Sequence, residues 1–263
     1  MNYVHLGVGD LLLASTLLLL NVGLSWWLQL GLARPLLIAA VRMTVQLLLV
    51  GLVLKSVFAL GSPWLTAAIA LVMGLVAGYE VLSRQERPLT GWWAYGLGAS
   101  TMMAAAMLVT VIALTTAIRP DPWYEPRYAI PLLGMILGNT LTGISLALNA
   151  LSSNVRAEQR GVEGRLCLGA TRLEALRPVI TQALRTGFIP IVNAMAATGV
   201  VSLPGMMTGQ ILAGVEPTEA VKYQLLVMFL IGGATGAGVL LSVFAMAWRL
   251  SDDRHRLRLD RLR

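Results

Sequence analysis

LLIAAVRMTVQLLLVGLVLKSVFAL, residues 36–60, contains two cations, Arg42 and Lys55, and no acid. About 20 apolar residues carry a helix across a bilayer, so this stretch alone is long enough to span one. Comparable runs occupy 8–30, 64–82, 92–118, 130–151, 186–213 and 221–248, and the pattern predicts seven transmembrane helices. Turn chemistry separates them: GLARP at 31–35, LGSP at 60–63, SRQERP at 83–88 and RPDPWYEPRYAIP at 119–131. The runs consume nearly all of the 263 residues, leaving no length for a separate catalytic domain. With 57% hydrophobic and 13% charged residues the chain cannot be a soluble globular domain. The fold class is an all-α polytopic membrane protein, one transmembrane domain over 1–263.

The charge distribution supplies an orientation. Segment 154–185 carries six Arg and three Glu, and the tail 249–263 six Arg and three Asp, so these two segments hold most of the net charge of +7. Arginine retained on the cytoplasmic side explains this clustering better than a nucleic-acid partner does. Both segments are then cytoplasmic and the amino terminus lies outside, in the cell (inner) membrane. Trp123, Tyr124 and Tyr128 fit an interfacial aromatic belt. Cys167 is the only cysteine, which excludes an intrachain disulfide. The start MNYVHLGVGD lacks a basic region ahead of its apolar run, so no cleaved leader is expected.

Helices in lipid associate through close packing of small residues and interhelical hydrogen bonds. Small pairs four apart occur at Gly74 and Gly78, Gly134 and Gly138, Gly205 and Gly209, and Gly232 and Gly236. Gly138, Thr142, Ser145 and Asn149 share one face of the fifth helix, expected to point inward as polar glue between helices or as a wall of a substrate pathway. Arg42 and Gln46 lie a turn apart on the second helix. Arg42 either snorkels to the headgroups, pairs with another helix or lines a pathway.

Between the fifth and sixth helices runs RAEQRGVEGRLCLGATRLEALRPVITQALRTGFIP, residues 156–190. It is too polar for the bilayer, yet Leu173, Leu176, Ile180 and Leu184 recur at helical spacing, predicting two short helices hinged at Gly169. One reading is a basic amphipathic helix lying on anionic lipid. The order Glu163, Gly169, Ala170, Thr171 also resembles the EAA loop of ABC-transporter permeases. That resemblance implies a coupling segment, here 152–185, whose short helix docks on a separate ATPase with Glu163 at the docking surface. Gly164 and Arg165 stand where that loop has alanines, and Pro178 replaces a proline expected a few residues later.

A second resemblance covers almost the whole chain. VRMTVQLLLVGLVLK (41–55), IPLLGMILGNT (130–140), CLGATRLEALRP (167–178) and VVSLPGMMTGQILAGVEPTEAVKYQLLVMF (200–229) look like the FetB-type iron-export permease family. The resemblance implies an ABC permease active in iron homeostasis, a homodimer served by two copies of a cytoplasmic ATPase, with ATP and Mg held by that partner. It is consistent with the residues: no G-x-x-x-x-G-K-[ST] loop is present to cradle phosphates, so this chain binds no nucleotide cofactor. His5 and His255 stand at opposite ends and no intramembrane carboxylate pair occurs, which argues against an integral enzyme. A secondary transporter is the rival, although intramembrane acids to couple ions are confined to Asp10 and Glu80 near helix ends. A permease for a small organic solute is the other.

Iron prefers imidazole, carboxylate or thiolate ligands, and the membrane runs offer almost none. Met206 and Met207 in SLPGMMTGQ are candidate soft ligands, and Asp121 with Glu125 a candidate oxygen-rich exit. Pro204 with Gly205 and Gly209 weakens the sixth helix at 202–209, predicting a break that forms the gate, with the Gly138, Thr142, Ser145 and Asn149 face opposite.

Overall fold

The computed structural model describes residues 7–252 and 256–263, so His5 and His255 lie outside the described residues. These fold into α-helices without a strand: α1 (Val8–Trp27), α2 (Ala33–Leu60), α3 (Pro63–Ser83), α4 (Trp93–Ile112, prolonged by a π turn, Ala113–Ile118), α5 (Pro126–Ala157), α6 (Gln159–Cys167), α7 (Arg172–Ala197), α8 (Gly205–Leu212) and α9 (Pro217–Arg249). Six of them, α1 to α5 and α9, are long and apolar enough to cross a membrane. The chain is a membrane protein. The run predicted to cross at 186–213 is instead divided between the end of α7 and α8, and neither helix is among the six.

Two compact units divide after Leu60. In the first, α1 and α2 form a hairpin whose turn is closed by the Leu32 amide donating to Ser25 Oγ at 3.1 Å. Arg42 and Gln46 stand exposed on α2 among exposed leucines and valines.

The second unit is organised around α5, which packs against α3, α4, α7 and α9. At 1.5 Å per residue its 32 residues extend about 48 Å, well beyond a hydrocarbon core of about 30 Å, so α5 leaves the apolar layer and carries α6 with it. Its inward stripe is Ile136, Thr140, Ile144, Ala147, Leu151 and Val155, all fully buried. Small residues set the approach of its neighbours. A Cβ added at Gly187 of α7 would stand 2.8 Å from Ala147 Cβ and 3.0 Å from the Gly143 carbonyl, and one at Gly238 of α9 would stand 2.7 Å from Thr140 Cγ2. Thr140 and Thr235 bring their hydroxyls to 3.5 Å across the α5–α9 contact.

The predicted glycine pairs divide. Gly78 meets Ala99, Gly74 meets Met103, Gly134 meets Met73, and Gly232 and Gly236 meet Met195 and Phe188. Gly138, Gly205 and Gly209 face open space. The segment after α5 also differs from the two short helices predicted. Only α6 is short, because past the Gly169 turn no break signal interrupts the chain strongly enough before Ala197, and α7 runs 26 residues with Pro178 and Pro190 inside it.

Candidate coupling and gate segments

α6 is fixed at three places. Val162 is fully buried in the core of the second unit. Arg165 Nη1 donates to the Ala175 carbonyl at 3.2 Å, tying α6 to α7. The intervening turn closes through Gly169 N to Leu166 O and Ala170 N to Arg165 O, each 3.0 Å. Gly169 occupies φ +91°, a region that a side chain disfavours, which is why glycine is needed there.

Thr171 then caps α7. Its Oγ1 accepts from the Glu174 amide at 3.4 Å, while Glu174 Oε2 accepts from the Thr171 amide and hydroxyl, both at 2.8 Å, a reciprocal capping box. The Thr171 backbone donor, with the hydroxyl second, holds the Glu174 carboxyl below its ordinary range. Gly169, Ala170 and Thr171 are therefore held on one well-fixed turn, while Glu163 stands before it on α6. Glu163 is exposed on α6, accepting from Gln159 Nε2 at 2.8 Å. Leu168, 90% exposed at the tip, and the exposed Cys167 were not singled out by sequence pattern as a surface feature.

The gate segment breaks earlier than its glycines suggest. α7 stops at Ala197, residues 198–204 turn, and α8 starts at Gly205. Pro204 serves as the N-cap of α8, its fixed φ of −62° opening the helix rather than unwinding it, and its carbonyl accepts both the amide and the hydroxyl of Thr208. The turn satisfies much of its own backbone: Val201 N and Ser202 N both reach Ala197 O at 3.0 Å, and Gly199 N reaches Ser202 O at 2.9 Å. Met206 and Met207 are half-buried on α8, Met206 against the core, and α8 packs on α9. Two acceptors in this hairpin escaped the sequence reading, Gln210 Oε1 and Gln224 Oε1, both buried without a hydrogen-bond partner.

The α5 face does not behave as one surface. Gly138 is exposed, Thr142 half-buried with its hydroxyl returned to Gly138 O at 3.2 Å, and Ser145 buried with Oγ unpartnered. Asn149 is occupied elsewhere, on the α3–α4 loop through Arg84 and Glu86. Asp121 is exposed, and Glu125 lies 3.7 Å from Arg127 Nε in an ion pair. Among the described residues no three of His, Cys, Asp and Glu gather into a group that could hold a metal.

The carboxyl-terminal residues fold back on the α3–α4 loop. Thr90 N donates to Arg261 O at 2.8 Å and Arg263 N to Pro88 O at 3.0 Å, with Leu89 and Leu262 buried between. Arg261 Nη1 reaches the Arg249 carbonyl at 2.6 Å, and the Arg249 guanidinium lies 4.8 Å over the Trp93 ring. A hydrogen bond from Arg258 holds Asp260 down to about 2.

The profile of UPF0014, described as an uncharacterised protein family, matches residues 8–250. A UPF0014 membrane protein of Synechocystis is 43% identical over 213 residues, 80% of each chain. "Probable iron export permease protein FetB" of Escherichia coli is 29% identical over 263 residues, 100% of this chain and 99% of its own. "Protein ALUMINUM SENSITIVE 3" of Arabidopsis thaliana is 32% identical over 240 residues, 89% and 84% of the two chains. No solved structure matches.

Proposed function

This chain belongs to the UPF0014 family, and from that membership we propose that it is the membrane-spanning subunit of an ABC-type exporter, driven by a separate ATPase. The observation that carries the reading is α6: a short helix held by Val162 and Arg165, turned by Gly169 and presented with Glu163 and Leu168 outward. A helix anchored at both ends passes the movement of a partner to α5 and α7, which a loop would absorb. The arginine distribution puts α6 and the tail in the cytoplasm and the amino terminus outside, in the inner membrane. Two such chains form a homodimer on two ATPase copies, which hold ATP and Mg.

Iron is the proposed cargo, on the strength of the name carried by the full-length relative FetB. The gate is the 198–204 turn with α8, where Met206 and Met207 are half-buried beside Pro204, Gly205 and Gly209, and where Gln210 and Gln224 hold unpartnered oxygens. The α5 residues Gly138, Thr142 and Ser145 contribute a second wall. Cargo carried in chelated form, or a small organic solute, is the second reading, favoured by the lack of any His, Cys, Asp and Glu cluster among the described residues.

The test is iron-stimulated ATP hydrolysis by permease and ATPase reconstituted together in liposomes. Glu163→Arg combined with Gly169→Leu should leave insertion intact and abolish stimulation; full stimulation would refute coupling through α6. Met206→Leu with Met207→Leu keeps bulk and removes the thioethers. Lost iron stimulation assigns them to the cargo, whereas unchanged stimulation reduces them to packing.

A further inference from the structure

At the end of α5 opposite α6 lies a half-open cavity of about 420 Å³, bounded by the start of α3, the end of α4 with its π turn, and the start of α5. Ala67 and Ala70 leave the space, and Met107, Leu114 and Leu133 complete an apolar wall. Trp64, 84% exposed, and Trp123, 53% exposed, stand at its mouth. The cavity is of the size that accepts a small ligand or a single chain, and water gains nothing in a chamber so short of polar partners.

Two threonines line it, and they differ. Thr66 donates to the Ser62 carbonyl at 3.0 Å. Thr110 is 5% exposed and its Oγ1 is buried with no partner. Along the same helical path Thr101 returns its hydroxyl to Leu97 O and Thr115 to Val111 O, both at 2.8 Å, as helical threonines commonly do. Thr110 keeps a hydrogen bond unspent beside the cavity. The π turn begins three residues later, closing through Arg119 N to Leu114 O at 3.0 Å, and such turns recur at functional sites.

We propose that this cavity is an intramembrane lipid site holding one acyl chain of a bilayer phospholipid, with the Thr110 hydroxyl, buried in its wall, turning about χ1 to serve an oxygen at the chain's ester. Around a chain with six membrane-length helices among its described residues, lipid is the apolar molecule always at hand. Exposed tryptophans at the mouth put that mouth at headgroup depth, where an ester would sit above an apolar floor. The assignment does not depend on the cargo or on the ATPase.

The experiment places the protein in vesicles of phosphatidylcholine carrying a diazirine on one acyl chain, irradiates, and maps the adducts. Adducts are expected on Met107, Leu114 and Leu133. Ala70→Trp, which fills the chamber, should lose them while labelling of the exposed α1 and α2 surfaces continues; Met107→Trp from the opposite wall is the second filling variant should the first fail to fold. Thr110→Val, equal in shape but without the hydroxyl, should weaken the cavity adducts alone. Adducts at these residues that persist in both filling variants would mean surface lipid only and would overturn the proposal. So would adducts removed by competing free fatty acid, or cross-links from these residues to a second copy of the chain in place of lipid.

Discussion

Asn149 near the end of α5 donates from Nδ2 to the carbonyl of Arg84 at 2.8 Å, and its Oδ1 accepts the amide of Glu86 at 3.0 Å. One side chain thereby closes the backbone of the α3–α4 loop onto the helix that leads into α6. The same loop is gripped from its far side by the carboxyl-terminal residues through Thr90 and Pro88. The α6 end of the bundle is a fastened assembly of α5, the α3–α4 loop and the end of α9.

Asn149→Leu removes both hydrogen bonds and returns two exposed backbone groups to solvent, so the loss is about 0.5–1.5 kcal/mol per hydrogen bond. Thermal unfolding of the purified protein in detergent should fall by several degrees, while Asn139→Leu, at an exposed asparagine of the same helix bonded within its own turn, should change it little.

Leu262→Asp places a charge where Leu262 and Leu89 are 6% and 4% exposed, so the terminal residues should detach from the loop. Hydrogen exchange reads this directly, since the Thr90 amide is protected by Arg261. Its exchange should accelerate strongly in the variant, with the α5 core amides unchanged.

The start of α7 should be sensitive to acid. Glu174 has a lowered pKa because Thr171 donates to its carboxylate, so its contribution is complete above the ordinary glutamate range and is lost as pH falls through the lowered value. Hydrogen exchange at the Ala175 amide should therefore rise on acidification below about pH 4, allowing for the intrinsic rate, near the unperturbed glutamate value. Thr171→Ala keeps the backbone donor and loses only the hydroxyl, so it should weaken that dependence without abolishing it and loosen the first turn by about 1 kcal/mol.

Gly187 and Gly138 give a sharper contrast. A Cβ at Gly187 would press on Ala147 and on the Gly143 backbone, neither of which can swing aside as a long side chain can. Gly187→Val should cost about 1–3 kcal/mol or more through overpacking and lower the folded yield in membranes. Gly138→Ala, with open space at its Cβ, should leave yield and unfolding temperature unchanged or slightly raised.

These examples also mark what sequence could convey. Hydropathy located the long apolar helices and Gly169 marked the turn after α6, because both signals are local, whereas the cap that Thr171 makes with Glu174 went unread. Pro204 and its glycines announced an interruption of the sixth crossing, but the proline starts α8, so the break lies over 198–204 and Gly205–Leu212 remains helical. The contacts of Gly143 with Gly187 and of Gly238 with Thr140 join residues far apart in sequence, and no spacing rule within one helix reveals them. Asn149 looked continuous with Thr142 and Ser145 because helical spacing fixes a face and not its partner; the partner is a loop 65 residues away. The carboxyl-terminal arginines read as topology alone, although Arg249 and Arg261 also build the fastening at Trp93 and Thr90.

The most direct test of the proposed coupling uses Cys167, the chain's only cysteine, exposed on α6 four residues after Glu163. A benzophenone attached there by maleimide chemistry should, on irradiation of the assembled membrane complex, form adducts with the ATPase subunit, and their yield should change when nucleotide is added. Adducts confined to lipid, in a complex whose ATPase is present and active, would contradict the account.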